Sequence, residues 1–262
     1  MLDHFQVKQL LRQVYWVEGR IIPVACGPYR HQIVVHCTKE GRRTATFADG
    51  KDYKYAGYIQ FVNDKGEWTQ RGASIVPVLP NGDILFIVEQ RPAQSRFPGR
   101  NKIALIGGKS VDLNDFGLHS SLEPPGGSIE PGQGLKAGFL AELTAETGIA
   151  DQPALVYSRR KSVCLFGSDL AQEQYQHVVF LTGLVYEPYV ADDGGLQVFA
   201  LSEAEVDYNI HNDVICSGQA ALLPWAFYKE VQRARADAVL EQKLKDMGYL
   251  AVEEIQITKA KQ

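Results

Sequence analysis

The chain has 262 residues, of which 45% are hydrophobic and 22% are charged, and its formal net charge at pH 7 is -4. This composition is typical of a globular protein with one large domain or two small ones. The negative balance leaves no basic surface for a nucleic-acid backbone or an anionic membrane, so neither is expected as a partner.

Cysteine spacing and hydropathy predict the compartment. The four cysteines are scattered along the chain without a CxxC pair, so we expect neither a zinc site nor a disulfide framework. Charged residues interrupt every apolar run, and no stretch of eighteen apolar residues occurs. We therefore expect a soluble cytoplasmic protein.

The first seventy residues predict one helix followed by strands. Residues 5–17 carry apolar side chains at helical spacing. Short segments rich in β-branched and aromatic residues follow, separated by Gly, Asp, Asn and Lys clusters. These segments are RIIPVA, HQIVVHC, RTATFA, YAGYIQFV and EWTQRG. Together they predict an N-terminal β-rich region over residues 1–71.

A hairpin is the next predicted element. The apolar runs ASIVPVL and ILFIVEQ flank PNGD, and the pair Asn81-Gly82 favours a tight hairpin turn. The polar segment 93–121 then predicts a long surface insertion that covers a site. Within it, IGGKS at 106–110 is similar to the end of a phosphate-binding loop, but Ile103 stands where that motif needs glycine, so a phosphate loop is disfavoured.

The stretch LEPPGGSIEPGQGLKAGFLAELTAETGIA, residues 122–150, predicts a strand, a sharp turn and an amphipathic helix that ends at Gly148. Glu142 and Glu146 are four residues apart and share one helix face, where a turn aimed at them would create a cation site. The alternative is the solvated face of a surface helix.

Strand-like segments and a helix-rich tail complete the chain. ALVYSRRKSVCLFG, YQHVVFLTGLVY and LQVFAL predict strands. Within that tail SGQAALLPWAFYKEVQRARADAVLEQKL, residues 217–244, has apolar residues at helical spacing, with Pro224 as the helix start or a kink.

The 122–150 stretch resembles the Nudix box, GX5EX7REUXEEXGU with U an aliphatic residue. With the first glycine at Gly127, the matches are Glu142, Leu143, Glu146, Gly148 and Ile149. Three positions depart from the pattern: Gln133 and Ala141 replace a Glu–Arg ion pair, and Ala145 replaces one of the helix glutamates. Because both ion-pair members are absent together, no unpaired charge remains and the architecture is expected to survive.

The resemblance implies a metal site. Glu142 and Glu146 match the family's metal-binding glutamates, and the Gly126 carbonyl matches its backbone ligand. Such oxygen donors suit Mg²⁺ or Mn²⁺. The loss at Ala145 removes one carboxylate and is expected to weaken a site that holds several ions.

From residue 55 to 230 the chain looks like ADP-ribose pyrophosphatases and related nucleoside-diphosphate-sugar hydrolases. In GASIVPVLPNGDILFIVEQRPA the resemblance makes Arg91 a diphosphate ligand, with an exposed strand-end charge as its alternative. In VADDGGLQV it makes Asp192, or its neighbour Asp193, the catalytic base, with an ordinary turn as the alternative.

The resemblance also suggests base stacking and further acids. The aromatic candidates for stacking are Tyr58, Phe61 and Trp68, with core packing as the alternative. Glu173, before the strand YQHVVFL, is a weaker candidate for an added carboxylate. CLFGSD lacks the proline of the Ser-Pro-Gly-like segment found in many ADP-ribose enzymes, which leaves the substrate open.

The resemblance implies an α/β fold, a Nudix α/β/α sandwich with a mixed sheet, and a homodimer. We expect an N-terminal β-rich region over 1–71, a Nudix domain over 72–215 and a C-terminal helical extension over 216–262. The implied activity is metal-dependent hydrolysis of the diphosphate in ADP-ribose or an ADP-sugar. The alternative is a catalytically lapsed domain that binds a nucleotide or a protein partner. A DNA-binding regulator is disfavoured because acids balance the basic residues of the tail.

Overall fold

The computed structural model describes residues 20–26, 29–35, 45–46, 52–53, 57–62, 71–90, 100–118, 120–167, 170–183, 196–217 and 221–258. The helix predicted over residues 5–17 lies outside these ranges.

The described strands agree with most of the predicted ones. In chain order they are β1 Arg20–Cys26, β2 Tyr29–Val35, β3 Ala45–Thr46, β4 Asp52–Tyr53, β5 Gly57–Val62, β6 Arg71–Val78, β7 Ile84–Gln90, β8 Ile103–Ile106, β9 Lys109–Asp112, β10 Ser120–Glu123, β11 Gly126–Ile129, β12 Gln152–Arg159, β13 Val163–Gly167, β14 Leu170–Leu181, β15 Gln197–Leu201 and β16 Leu250–Ile257.

The described α-helices all follow residue 134. They are α1 Leu135–Thr147, α2 Glu203–His211, α3 Leu223–Ala236 and α4 Ala238–Asp246, and a short 3₁₀ helix spans Leu113–Phe116. Strand pairing is mixed, since β14 pairs with β5 in parallel whereas the pairs β1–β2 and β12–β16 are antiparallel. The predicted α/β class is therefore confirmed. None of the described helices is long and apolar enough to cross a membrane.

The chain divides into two compact units. The first comprises residues 1–72, 128–133 and 164–173. In it, β2 lies between β1 and β5, and both neighbours run antiparallel to it. Ile33 of β2 is thus the pairing partner of both Ile22 and Ile59. The β-branched residues that predicted these strands lie in a regular antiparallel ladder.

The second unit comprises residues 73–127, 134–163 and 174–262. Strand β12 lies between β14 and β16, and β7 pairs with β6, β10 and β15. Its core takes side chains from strands β6, β7 and β14 and from helix α3, including Val76, Phe86, Val178 and Tyr228. The near-continuous apolar runs of β6 and β7 are explained by their almost complete burial.

The Asn81-Gly82 hairpin is confirmed. The Leu79 N–H donates to the Asp83 carbonyl at 2.7 Å, and Gly82 has φ +92°, a conformation that glycine adopts without strain. Val78 and Ile84 pair directly beyond the turn. The local turn chemistry was sufficient to predict this element.

The prediction of a surface insertion over residues 93–121 is wrong in one respect. Its described part contains the β8–β9 hairpin and the 3₁₀ helix, and it buries Ala104, Ile106 and Leu113 in the core of the second unit. Each strand has only four residues, so the apolar alternation is too short to be visible in the sequence.

The predicted helix-rich tail contains the two helices α3 and α4 and, in addition, a strand that was not predicted. Pro224 lies in the first turn of α3, as predicted, but the helical run is interrupted at Asp237, whose side chain caps α4 by accepting from the N–H groups of Val239 and Leu240. The last described residues form β16, which pairs with β12. A partner strand about one hundred residues earlier in the chain decides this conformation, and local spacing does not contain it.

Candidate functional site

Helix α1 carries the two candidate carboxylates. It begins after Gly134 and ends at Gly148, which has φ +70° and donates its N–H to the Thr144 carbonyl at 3.0 Å. Phe139, Leu143 and Thr147 form its buried stripe, at the four-residue spacing of one helix face. The predicted helix and its glycine stop are confirmed.

The segment predicted as a Pro-Gly-Gly turn lies directly against this helix, and its two glycines, Gly126 and Gly127, are the first residues of β11. Gly126 donates its N–H to Oε2 of Glu146 at 2.7 Å. The segment is also fixed to β6, because the Ile75 N–H donates to the Pro125 carbonyl at 2.9 Å. A carboxylate that accepts from a backbone amide forms a charge-assisted hydrogen bond, so Glu146 joins the start of β11 to α1.

Gly127 lies against the second carboxylate. A Cβ atom at this position would overlap the carboxylate of Glu142, and one at Gly126 would overlap the carbonyl oxygen of Ala73. The absence of side chains at these two positions therefore allows the close approach. Glycine is needed here for space, since neither residue has a positive φ.

Two acidic side chains thus lie at the glycine pair that begins β11. Glu142 and Glu146 are both partly buried, unlike the fully solvated acids of an ordinary surface helix. Like charges brought together out of bulk water favour a bound cation or a proton. Carboxylate and carbonyl oxygens are the donors that Mg²⁺ and Mn²⁺ prefer, so the residues present fit such an ion.

The three altered box positions have distinct environments. Gln133 accepts the Glu130 N–H through Oε1 at 3.1 Å, and Arg71 donates to the Gln133 carbonyl at 3.0 Å. The loop before α1 is therefore held without the Glu–Arg pair of the family pattern. Ala141 is partly buried and Ala145 is exposed. Because alanine has no ionisable group, neither residue contributes a charge to the site. No sequence pattern indicated the role of Arg71.

His177 in β14 is a residue that the sequence reasoning left without a role. Its ring is buried and stacks on Phe139 of α1, with 4.1 Å between ring centroids and 21° between planes. Nδ1 lies 2.8 Å from Oγ of Ser158, and Nε2 is buried with no hydrogen-bond partner among the described residues. Burial lowers the pKa of His177 to about 3, so the ring is neutral at physiological pH.

The segment IGGKS is a hairpin turn. Gly107 and Gly108 have φ +58° and +71° and connect β8 to β9, whereas a phosphate loop leads into a helix. Oε1 of Glu205 accepts the Gly108 N–H at 2.7 Å, and Oε2 accepts from the N–H and Oγ of Ser202 at 2.8 Å. Burial raises the pKa of Glu205, but these hydrogen bonds outweigh it and lower the pKa overall.

Several predicted residues lie outside the described part of the chain. Arg91, Trp68, Asp192 and Asp193 are among them, and their roles stay predictions. Tyr58 and Phe61 lie in β5, where only the backbone is described. Glu173 lies within β14 and is partly buried. Among the described residues, no group of three or more His, Cys, Asp or Glu side chains could hold a metal ion.

One solved structure that is similar to this chain is described as the crystal structure of an ADP compounds hydrolase. The sequences are 14% identical, the TM-score is 0.49, and the similarity covers 82% of this chain and 93% of that chain. No protein-family model matches the sequence, and no curated protein matches it significantly. The function is therefore argued from the residues of the site.

Proposed function

We propose that this protein is a Nudix-type hydrolase that cleaves the diphosphate linkage of a nucleoside diphosphate derivative, with ADP-ribose or an ADP-sugar favoured. One observation carries the proposal: Glu142 and Glu146 both lie against the glycine pair Gly126-Gly127 at the start of β11. A solvated surface helix has no reason to direct two acids at one glycine pair, whereas a cation site does.

Glu142, Glu146 and the Gly126 carbonyl would hold Mg²⁺ or Mn²⁺. When bound, the metal neutralises diphosphate charge and lowers the pKa of a water ligand. Glu146 would also position a ligand, because its Oε2 accepts from the Gly126 N–H and thereby keeps the Gly126 carbonyl beside the helix. Glu146 would therefore both bind the metal and position the Gly126 carbonyl.

The remaining roles follow from the resemblance. Asp192 accepts the proton of the attacking water, and Arg91 binds the diphosphate through its planar donor group. Tyr58, Phe61 and Trp68 stack on the base, in a β-rich region that supports a homodimer. The products are a nucleoside monophosphate and a phosphorylated remainder.

The direct test is release of nucleoside monophosphate from ADP-ribose, ADP-glucose, NADH and dinucleoside polyphosphates, with Mg²⁺ or Mn²⁺. We expect turnover of one class that depends on metal and is lost in Glu146→Gln. Glutamine can still accept the Gly126 N–H, so the variant should remain folded. Absence of turnover with every substrate, in a folded protein, would refute hydrolysis.

A lapsed domain that binds nucleotide without hydrolysing it is the second candidate. The exposed methyl group of Ala145, where the family pattern has a glutamate, favours it. Restoring the carboxylate in Ala145→Glu separates the two functions. An intact but weakened site should gain metal-dependent turnover, whereas a purely binding domain should gain none while still showing nucleotide affinity by calorimetry.

A further inference from the structure

We propose that His177 is a positioning residue whose ring, through Phe139, sets the rotation of α1 and thereby the position of Glu142 and Glu146 beside the glycine pair at the start of β11. The consequence for metal binding rests on the proposed function. The positioning itself does not, because it concerns contacts present in the chain without metal.

Helical periodicity connects the stack to the carboxylates. Glu146 lies seven residues after Phe139, which is almost two turns, so the two side chains leave the helix within about 20° of one another. Glu142 lies three residues after Phe139, about 60° to one side. A rotation of α1 that moved the Phe139 ring would therefore carry both carboxylates with it.

The His177 ring is itself held on a rigid element. Residue 177 pairs directly with Ser158 across the β12–β14 ladder, and the hydrogen bond at Nδ1 fixes the ring plane. Val178 and Val179, the next residues of β14, are fully buried. A flat ring on a buried strand gives α1 a defined packing surface, because the stack restricts both the distance and the tilt between the His177 and Phe139 rings.

Two substitutions isolate the ring from every other property of His177. Both His177→Leu and His177→Phe remove the hydrogen bond to Ser158 and the buried Nε2 atom. Only His177→Phe keeps a flat ring against Phe139. Val231→Ala is the matched control, because Val231 is buried in α3 and its loss destabilises the same unit without touching the stack.

The readout is hydrogen exchange of the Gly126 amide, whose N–H is donated to Glu146. We expect exchange about tenfold faster in His177→Leu than in Val231→Ala, and within about twofold of the native chain in His177→Phe. Equal exchange in His177→Leu and Val231→Ala would overturn the proposal. So would exchange in His177→Phe as fast as in His177→Leu.

Mn²⁺ titration tests the consequence separately. We expect His177→Leu to weaken Mn²⁺ binding by about tenfold and His177→Phe to retain the native affinity. If the native chain binds no Mn²⁺, the proposed function fails, and the amide exchange still decides whether His177 positions the helix. If the native chain binds Mn²⁺ and His177→Leu binds it equally well, the positioning role is refuted and the metal site is not.

Discussion

Two regions of the molecule place a pair of glycines against glutamate side chains from a helix. At residues 126–127, the start of β11, the glycines lie against Glu142 and Glu146 of α1, and at residues 107–108, a hairpin turn, they lie against Glu205 of α2. Glu205 uses one oxygen for the turn and the other for the capping box at Ser202. Its single charge is thus matched by several donors.

The difference between the regions is one of charge. The 107–108 turn donates its N–H groups to one carboxylate that also caps the start of α2, so the arrangement is structural. The glycine pair at 126–127 meets two carboxylates, and a second negative charge at such a place favours a cation. The number of carboxylates at the glycine pair therefore distinguishes the proposed cation site from the structural turn.

Glu146 is expected to show the largest effect. Glu146→Ala should weaken Mn²⁺ binding by about 100-fold or more and also lower the free energy of unfolding by about 1 to 2 kcal/mol, because the Gly126 amide loses its acceptor. Glu146→Gln should lose the Mn²⁺ affinity alone. Calorimetry with Mn²⁺ and urea unfolding separate the two effects, and equal stability losses in both variants would contradict the dual role.

Acid is expected to lower the free energy of unfolding through His177, whose ring packs on α1. Since the folded-state pKa is about 3, the unfolded chain binds a proton below its ordinary pKa of about 6.5 and the folded chain does not. Stability is therefore complete above about pH 6.5, falls as the pH decreases, and levels off near 3. Between pH 7 and 5 the loss should be about 2 kcal/mol.

His177→Phe removes this proton and is the control for the acid response. Urea unfolding at pH 7 and pH 5 should show a smaller loss in the variant than in the native chain. The same loss in both proteins would mean that other groups carry the acid sensitivity.

Glu205 is expected to contribute stability only. Glu205→Ala removes the capping box and the acceptor for the Gly108 amide, which should lower the free energy of unfolding by about 1 to 2 kcal/mol. Mn²⁺ affinity should be unchanged. A loss of Mn²⁺ binding in this variant would contradict the conclusion that the 107–108 turn is structural and that only the glycine pair at 126–127 belongs to a metal site.

An added methyl group should have different effects at the two glycine pairs. Gly127→Ala should weaken Mn²⁺ binding by about tenfold, because the Cβ atom displaces the Glu142 carboxylate. Gly108→Ala has free space but a positive φ, so it should cost only about 1 kcal/mol of stability. Gly134→Ala, with open space and an ordinary φ, is the control for the first variant.

Local sequence signals were enough for the elements that depend on turns and periodicity. The Asn81-Gly82 hairpin and the Gly148 stop of α1 were predicted from such signals, and the α/β class was implied by the resemblance; all three are confirmed. The β8–β9 hairpin was not predicted because its strands are too short to show alternation, and β16 was not predicted because its partner β12 is distant in the chain.

The sequence by itself determined that Glu142 and Glu146 share a helix face after a glycine turn, because a spacing of four residues has this consequence in any α-helix. Only the tertiary structure decided that the glycine pair lies against both carboxylates, that Arg71 holds the loop without the Glu–Arg pair, and that Phe139 rests on His177. These contacts join residues 15 to 62 positions apart. Their geometry depends on how whole strands and helices pack, which no local pattern of residue types encodes.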